Sequence, residues 1–568
     1  MTKTTSIPEQ VFREYEQGIA FKASLGKHGL YEQSRINERF FSGDQWHGVS
    51  CGEERPLVRH NIIKRIGDYK MSTVSSSPVS VNYSAEGVPN TVQLKNTVET
   101  LRGEMSRLSA LDAERRMREL GSADEINLVM GALTDYFKTT AHRLQFDSIK
   151  DTALRNAYQS GTAVVYTYWD DTVRTGLYAD ISGKTPIRGD IACEVLDIEN
   201  VYFGDPTVDD VQSQPYILIS QRKSVGDLRR EAKRHHRSAE EIAAIHSDRD
   251  AVYAGAGQSE NEPEHLQKVT VITRLWKEWN DDTGEYVIKA VKTCRGAVIR
   301  PAWDIGIRLY PLAKFTWERH RNCAYGDSEI TYLIPNQIAI NRMMTASVWA
   351  VMVMGMPIMV VNGDIVTQPI TNDPGQIIQV FGGNEDVDRA IRYVTPPSFS
   401  PQFDNMIASL IDNSLMQAGA NNAALGDMNP DNTSAIIALR EAATMPMQLI
   451  QNRFYGFIAD IGRIWAEFWL NRYGNRLLKI EDEHGSWYLP FDSSRYRDLL
   501  ISVRVDVGAS GLWSELQSTQ TLDNLLEREI ISVEQYLTRL PKGAIPNLCG
   551  LIREMEANRS AAPTAAEV

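Results

Sequence analysis

From Met343 to Val361 the chain runs for 19 residues, MMTASVWAVMVMGMPIMVV, without a charge. A stretch of this length and polarity must be surrounded either by lipid or by protein. Gly355 and Pro357 interrupt it, and no Lys/Arg cluster flanks it to set an orientation in a bilayer. The sequence therefore predicts a helix buried at a protein interface, with a membrane-associated scaffold as the alternative. The residues after the run constrain the chain further. A Pro/Gly-punctuated insertion spans Pro357–Pro401, a shorter helix Phe403–Ala418, and a polar loop Asn421–Asn432. A long helix over Ser434–Tyr473 carries Pro446 in its interior, where a missing N–H and a clash with the preceding turn predict a kink.

The first half mixes two periods. Helical patterns run over Pro8–Arg39, from Asn61 to the residues before Pro78, over Asp124–Gly161 and over Ser224–Ile245. Strand-like runs occupy Ala163–Trp169 and Ile191–Leu196. Lys268–Trp317 reads as a strand meander broken by the turn Asn280–Gly284. Short strands over Leu499–Val507 and a helical region over Ser514–Asn558 close the chain, and the last ten residues read as disordered. The fold class this predicts is α+β. The 42% apolar and 23% charged residues fit an ordinary folded protein. Lys plus Arg total 60 against 73 Asp plus Glu, a formal net charge of -13. That balance argues against gripping nucleic acid over most of the surface, because phosphate binding needs a basic footprint. It leaves open a protein past which DNA merely slides. Five cysteines without CxxC spacing read as reduced and structural, and the N-terminus shows no apolar signal-peptide segment.

The search for chemistry yields little. Ser182-Gly183-Lys184-Thr185 ends like a phosphate-binding loop, but the position that must be glycine for the loop to wrap phosphate is Tyr178, so a turn between strands is expected. His235 and His236 are adjacent in a charge-rich segment; on a helix they point about 100° apart and chelate one metal poorly. Glu481, Asp482, Glu483 and His484 form a charged turn with no second histidine at ligand spacing. No HExxH and no GxSxG is present. The expectation is a protein that is not an enzyme and uses no metal or cofactor, with an enzyme of unrecognised type as the competing reading.

Several longer runs carry more information together than apart. They are FFSGDQW (Phe40–Trp46) with Arg55-Pro56-Leu57-Val58 and Asn61-Ile62-Ile63, then DTALRNAYQSGTAVVYTYWD (Asp151–Asp170) and EVLDIENVYFGDPTVDD (Glu194–Asp210). YGDSEITYLIPNQIAINRMMTAS (Tyr325–Ser347) and MNPDNTSAIIALREAA (Met428–Ala443) come after them. In this order and spacing, over nearly the whole chain, they resemble the portal proteins (head-to-tail connectors) of tailed bacteriophages.

The resemblance implies a portal fold: a wing over 1–326, stem helix one over 327–356 and a clip over 357–402. Stem helix two over 403–419, a tunnel loop over 420–433, a kinked helix with wing strands over 434–513 and a helical crown over 514–558 complete it. It also implies a homo-oligomeric ring of twelve subunits at a capsid vertex. The ring would conduct double-stranded DNA during packaging and ejection and dock terminase, capsid and scaffolding proteins, and tail or adaptor proteins. Its place would be the virion, and the host cytoplasm during assembly, with no membrane partner. In a closed ring each stem helix has neighbours on both sides, which gives the uncharged run a soluble environment. The channel residues implied are Asn421, Asn422, Asp427, Asn429, Asp431 and Asn432 of the loop and Arg342 of the first stem helix. Two plainer readings stand beside them: the loop as a connector facing another subunit, and Arg342 as an ion-pair partner of Asp404 or Asp412. No Lys or Arg occurs from Ala420 to Leu439, so phosphates would be repelled rather than held there.

Overall fold

The computed structural model describes residues 6–49, 56–76, 79–86, 110–178, 186–248, 263, 265, 267–281, 284–354, 358–366, 369–370, 377, 379–381, 390–394, 401–420, 445–482, 485–497, 499–507, 512–528 and 530–537. About 49% of these are helical and 27% are strand, so the chain is a mixed helix-and-sheet protein. It divides into two compact units, one of residues 1–35, 70–329 and 432–568, the other of residues 36–69 and 330–431. Residues 36–69, which sequence places with the rest of 1–326, thus group with the later helix–insertion–helix segment.

The larger unit opens on α1 (Ile7–Ser24), where Ser6 and Glu9 form a reciprocal capping box around Pro8 in the first turn. Val11, Phe12 and Tyr15 bury one face of α1 against Tyr202, Leu218, Ile272 and Val291. The single helix expected over Pro8–Arg39 is in fact two. α1 stops at Ser24, and α2 (Gly29–Ser42) begins after a turn in which Gly26 and Gly29 take φ of +59° and +74°. A side chain on Gly29 would also meet the Ala23 carbonyl oxygen at 2.7 Å. α3 (Ile62–Ser75) follows, then β1 (Val79–Ala85), α4 (Ala110–Arg143) and α5 (Phe146–Ser160). The expected helix over Asp124–Gly161 is likewise divided, at Gln145, whose φ is +51°.

Next come β2 (Thr162–Tyr178), β3 (Pro186–Asp197), β4 (Val201–Phe203), β5 (Tyr216–Ser224), α6 (Val225–Arg234) and α7 (Ala239–Ala243). The expected meander is present as β6 (Lys268–Asn280), β7 (Glu285–Cys294), β8 (Ala297–Asp304) and β9 (Leu312–Thr316). β4-β5-β6-β7-β8 form an antiparallel five-stranded sheet, and β3-β2-β9 a three-stranded one. The smaller unit holds most of α8 (Glu329–Met354), the ribbon of β10 (Ile358–Val361) and β11 (Ile391–Val394), and α9 (Pro401–Gln417). The chain then returns to the larger unit with α10 (Gln448–Arg472), β12 (Asn475–Asp482), β13 (Gly485–Asp492), β14 (Ile501–Val507), α11 (Leu512–Glu527) and α12 (Val533–Leu537). β12 pairs with β13, and β14 with the distant β1.

α10 is the hydrophobic axis of the larger unit, burying Phe454, Phe457, Ile461, Trp465, Phe468 and Trp469. Its Gly462 carbonyl accepts from the Tyr83 hydroxyl at 2.9 Å. Of the helix expected over Ser434–Tyr473 with a kink at Pro446, the described part is α10 from Gln448, preceded by a 3₁₀ turn, Met445–Met447, that contains Pro446. A proline is better accommodated before a helix than within it, where it removes a hydrogen bond and crowds the preceding turn. Residues 434–444 lie outside the described residues.

The core is rich in tyrosine, which gives stability a defined alkaline limit. Burial pushes the phenols of Tyr83, Tyr325 and Tyr473 well up and that of Tyr136 to about 12. The unfolded chain ionises tyrosine near pH 10 while the folded chain keeps these protons. Their contribution is therefore complete below about pH 10 and declines above it, roughly 2–3 kcal/mol for Tyr136 alone by pH 12. The buried amines of Lys22 and Lys314, lowered by desolvation, act with the opposite sign, but only up to the ordinary lysine value of 10.5. Urea midpoints should thus fall steeply between pH 10 and 12, and less steeply in Tyr136→Phe. A flat profile across that interval would contradict the burial.

Candidate functional site

In the smaller unit, α8 places Gln337, Asn341 and Thr345 at four-residue spacing and so on one face. Gln337 is fully buried and Asn341 nearly so. The Gln337 Oε1 accepts from the backbone N–H groups of Ile62 (3.0 Å) and Ile63 (3.4 Å), and its Nε2 donates to the His60 carbonyl (2.6 Å) and to Asn341 Oδ1 (3.0 Å). Asn341 Oδ1 also accepts from His60 N, and its Nδ2 donates to Gln45 Oε1. Thr345 Oγ1 accepts from Val58 N, whose own carbonyl accepts from Trp46 Nε1. Ile62 and Ile63 open α3, where backbone N–H groups have no partner within the helix. Gln337 supplies that cap from another helix, while Asn61 Oδ1 accepts from Lys64 N in the usual capping position. The FFSGDQW, Asn61-Ile62-Ile63 and NQIAIN runs thus meet in one polar lock. Sequence reading assigned these polar residues no such role, and a glutamine and an asparagine four apart in an apolar helix were the available signal.

The other face of α8 is open: Tyr332, Pro335, Arg342 and Ala346 are exposed. Near the helix end Val348, Val351 and Met352 are exposed as well. The uncharged run is therefore not buried all round within one chain, and it is not one element: α8 ends at Met354 and β10 takes Ile358–Val361. No helix among the described residues is long and apolar enough to cross a membrane. α9 is tied to α8 where Asn336 Nδ2 donates to Ser414 Oγ (3.2 Å) and Gln417 Oε1 (3.4 Å), and it leaves Met406 and Met416 exposed. Gly419 (φ +71°) stops α9, with Ala420 N bonding to the Leu415 carbonyl and Gly419 N to that of Met416.

Of the expected channel residues, Arg342 is solvent-exposed, and among the described residues no ion pair joins it to Asp404 or Asp412. Asn421, Asn422, Asp427, Asn429, Asp431 and Asn432 lie outside the described residues.

Elsewhere, buried charge supports packing. Lys22 donates to the carbonyls of Ile198 (2.5 Å) and Glu199 (3.0 Å) and lies 3.6 Å from the centre of the Tyr202 ring. Asp190 accepts from the Tyr473 hydroxyl and pairs with Arg143 at 3.0 Å. Cys193, Cys294 and Cys323 are free thiols. No group of three His, Cys, Asp or Glu side chains that could hold a metal occurs among the described residues. His235 caps the end of α6, and His236 follows with φ of +54°. Tyr178 pairs with Pro186, so Ser182–Thr185 falls in a strand-to-strand connection outside the described residues. The architecture defines a mixed helix-and-sheet protein whose smaller unit leaves apolar side chains of two helices exposed. The chain matches no protein-family model and no curated protein.

Proposed function

We propose that the chain is a portal subunit, a structural protein that assembles into a ring at a capsid vertex and conducts DNA without catalysing a reaction. The observation that carries this reading is the apolar side chains left exposed near the end of α8 and on α9. Val348, Val351, Met352, Met406 and Met416 are exposed on two tethered helices, and an apolar surface of that kind calls for a protein neighbour. In a closed ring the neighbours are copies of the same chain on both sides. α8 and α9 then correspond to the stem helices, the β10–β11 ribbon to the clip that docks terminase and later tail or adaptor proteins, and 514–558 to the crown. The loop over 420–433 faces the bore, with Arg342 as a ring of positive charge in a weakly acidic tube. Capsid and scaffolding proteins are the remaining partners, and the virion is the place of action.

Mass and packaging test this together. Light scattering of purified protein should report about 770 kDa, twelve times 63.9 kDa, with and without reducing agent. On rings of that size, Asp427→Lys with Asp431→Lys should raise DNA affinity, make it strongly salt-dependent and slow packaging. A stable monomer at high concentration refutes the ring. Unchanged packaging by intact double-variant rings refutes the DNA-facing loop alone.

A further inference from the structure

α6 is amphipathic in an unusual way for a chain of net charge -13. Val225, Leu228 and Ala232 face the core beside Ile245, Val269 and Ile299. The opposite face carries Arg230, Lys233 and Arg234, all exposed, at three- and four-residue spacing. From Asp227 to Arg237 five Lys/Arg stand against two acids, a local balance of +3. The acids are engaged: Glu231 holds the largely buried Lys292 through both oxygens at 2.7 Å, and Asp227 accepts from the Ser224 hydroxyl that caps the helix and pairs with Arg230. Arg237 is pinned by the Val298 carbonyl and Glu241, whereas Lys233 and Arg234 have no side-chain partner among the described residues. Arg300, opposite Lys292 in the β7–β8 pair, adds a further cation beside the helix end.

A helix dipole accounts for a cation in the last turn. It does not account for Arg300, which the β7–β8 pair brings beside that turn. Together with burial, the field of Arg300, Lys292 and Arg234 holds the His235 imidazole below its ordinary value. A membrane does not fit, because the apolar face of α6 is already buried in the protein. A protein partner fits less well, because Arg230, Lys233 and Arg234 offer no aromatic or apolar anchor around which an interface centre forms.

We propose that the Arg230, Lys233 and Arg234 face of α6 binds the phosphate backbone of a nucleic acid. This site involves none of the proposed channel residues, and the inference does not depend on ring assembly. Guanidinium groups suit it, since they meet phosphate oxygens in a bidentate fork.

The test is fluorescence anisotropy with a short duplex DNA across a salt series, comparing the unmodified chain with Arg230→Ala/Lys233→Ala/Arg234→Ala. Three phosphate contacts give a log–log salt slope of roughly −2.7, an affinity loss of about 40-fold between 50 and 200 mM salt. The triple variant should lose most of that slope, with an unchanged circular dichroism spectrum. The charge-preserving Arg230→Lys/Arg234→Lys should retain it, which separates loss of charge from loss of fold. Equal slopes for the unmodified chain and the triple variant overturn the proposal. So does binding of poly-glutamate in preference to DNA by the unmodified chain, which would make the face a site for acidic polypeptides.

Discussion

Gly161→Ala is expected to abolish the folded state of the larger unit. Gly161 ends α5 with φ of +83°, and a Cβ there would overlap the carbonyl oxygen of Gly326. The two backbones cross at this point because Trp317 N bonds to the Gly161 carbonyl at 2.9 Å and Gly326 N to Thr162 Oγ1 at 2.8 Å. Ser328 Oγ secures the same crossing by donating to the Tyr158 carbonyl. Neither side can retreat, since β2 pairs from Thr162 onward with β9. The left-handed conformation alone costs a side chain about 1 kcal/mol, and the overlap brings the total to the order of 4 kcal/mol or more. Gly26→Ala is the control, because its φ is +59° with nothing within 4 Å of the added atom. Thermal melts of the two variants should differ widely. If Gly161→Ala melts as Gly26→Ala does, the crossing is looser than described.

Gln337→Leu is expected to cost roughly 1–4 kcal/mol and to loosen the start of α3, because each buried polar partner left short of a bond costs about 1–3 kcal/mol at most. The partners are the Ile62 and Ile63 N–H groups and the His60 carbonyl; leucine offers none of them a bond, and only Ile62 N and the His60 carbonyl keep their bond to each other at 3.0 Å. Thr345→Val removes only the partly buried bond from Val58 N and should cost about 1 kcal/mol. Amide hydrogen exchange reads the difference directly. Ile63 should lose protection in Gln337→Leu, more than Ile62, whose N–H also bonds the His60 carbonyl, and both should keep it in Thr345→Val. Retained protection of Ile63 in Gln337→Leu would mean that this N–H is capped by something other than the Gln337 side chain.

Elements whose determinants lie close together in the chain were legible from sequence. The β6–β7 hairpin follows from alternating β-branched and aromatic residues around Asn280–Gly284, and the pairing of Asn280 with Glu285 agrees. The order of α8, insertion and α9 likewise follows from one uncharged run, a Pro/Gly-rich stretch and a helical period. Basic residues in α6 were visible too, but only the fold shows Val225, Leu228 and Ala232 turned inward and the cations turned out.

Other features depended on partners that sequence does not bring near. The first helix breaks at Gly26 and Gly29, yet what holds α1 is Lys22, which reads as a surface charge until its amine is found on carbonyls 176 and 177 residues away. The uncharged run could continue as helix or turn to strand; β10 is strand because Ile391–Val394 pairs with it. Gln337 and Asn341 look like interruptions of an apolar helix, and their partners at His60 and Gln45 lie 277 and 296 positions earlier. Propensity and periodicity act over a few residues and so determine which elements form. Which buried polar groups are satisfied, and by whom, depends on contacts that exist only once the chain has closed on itself.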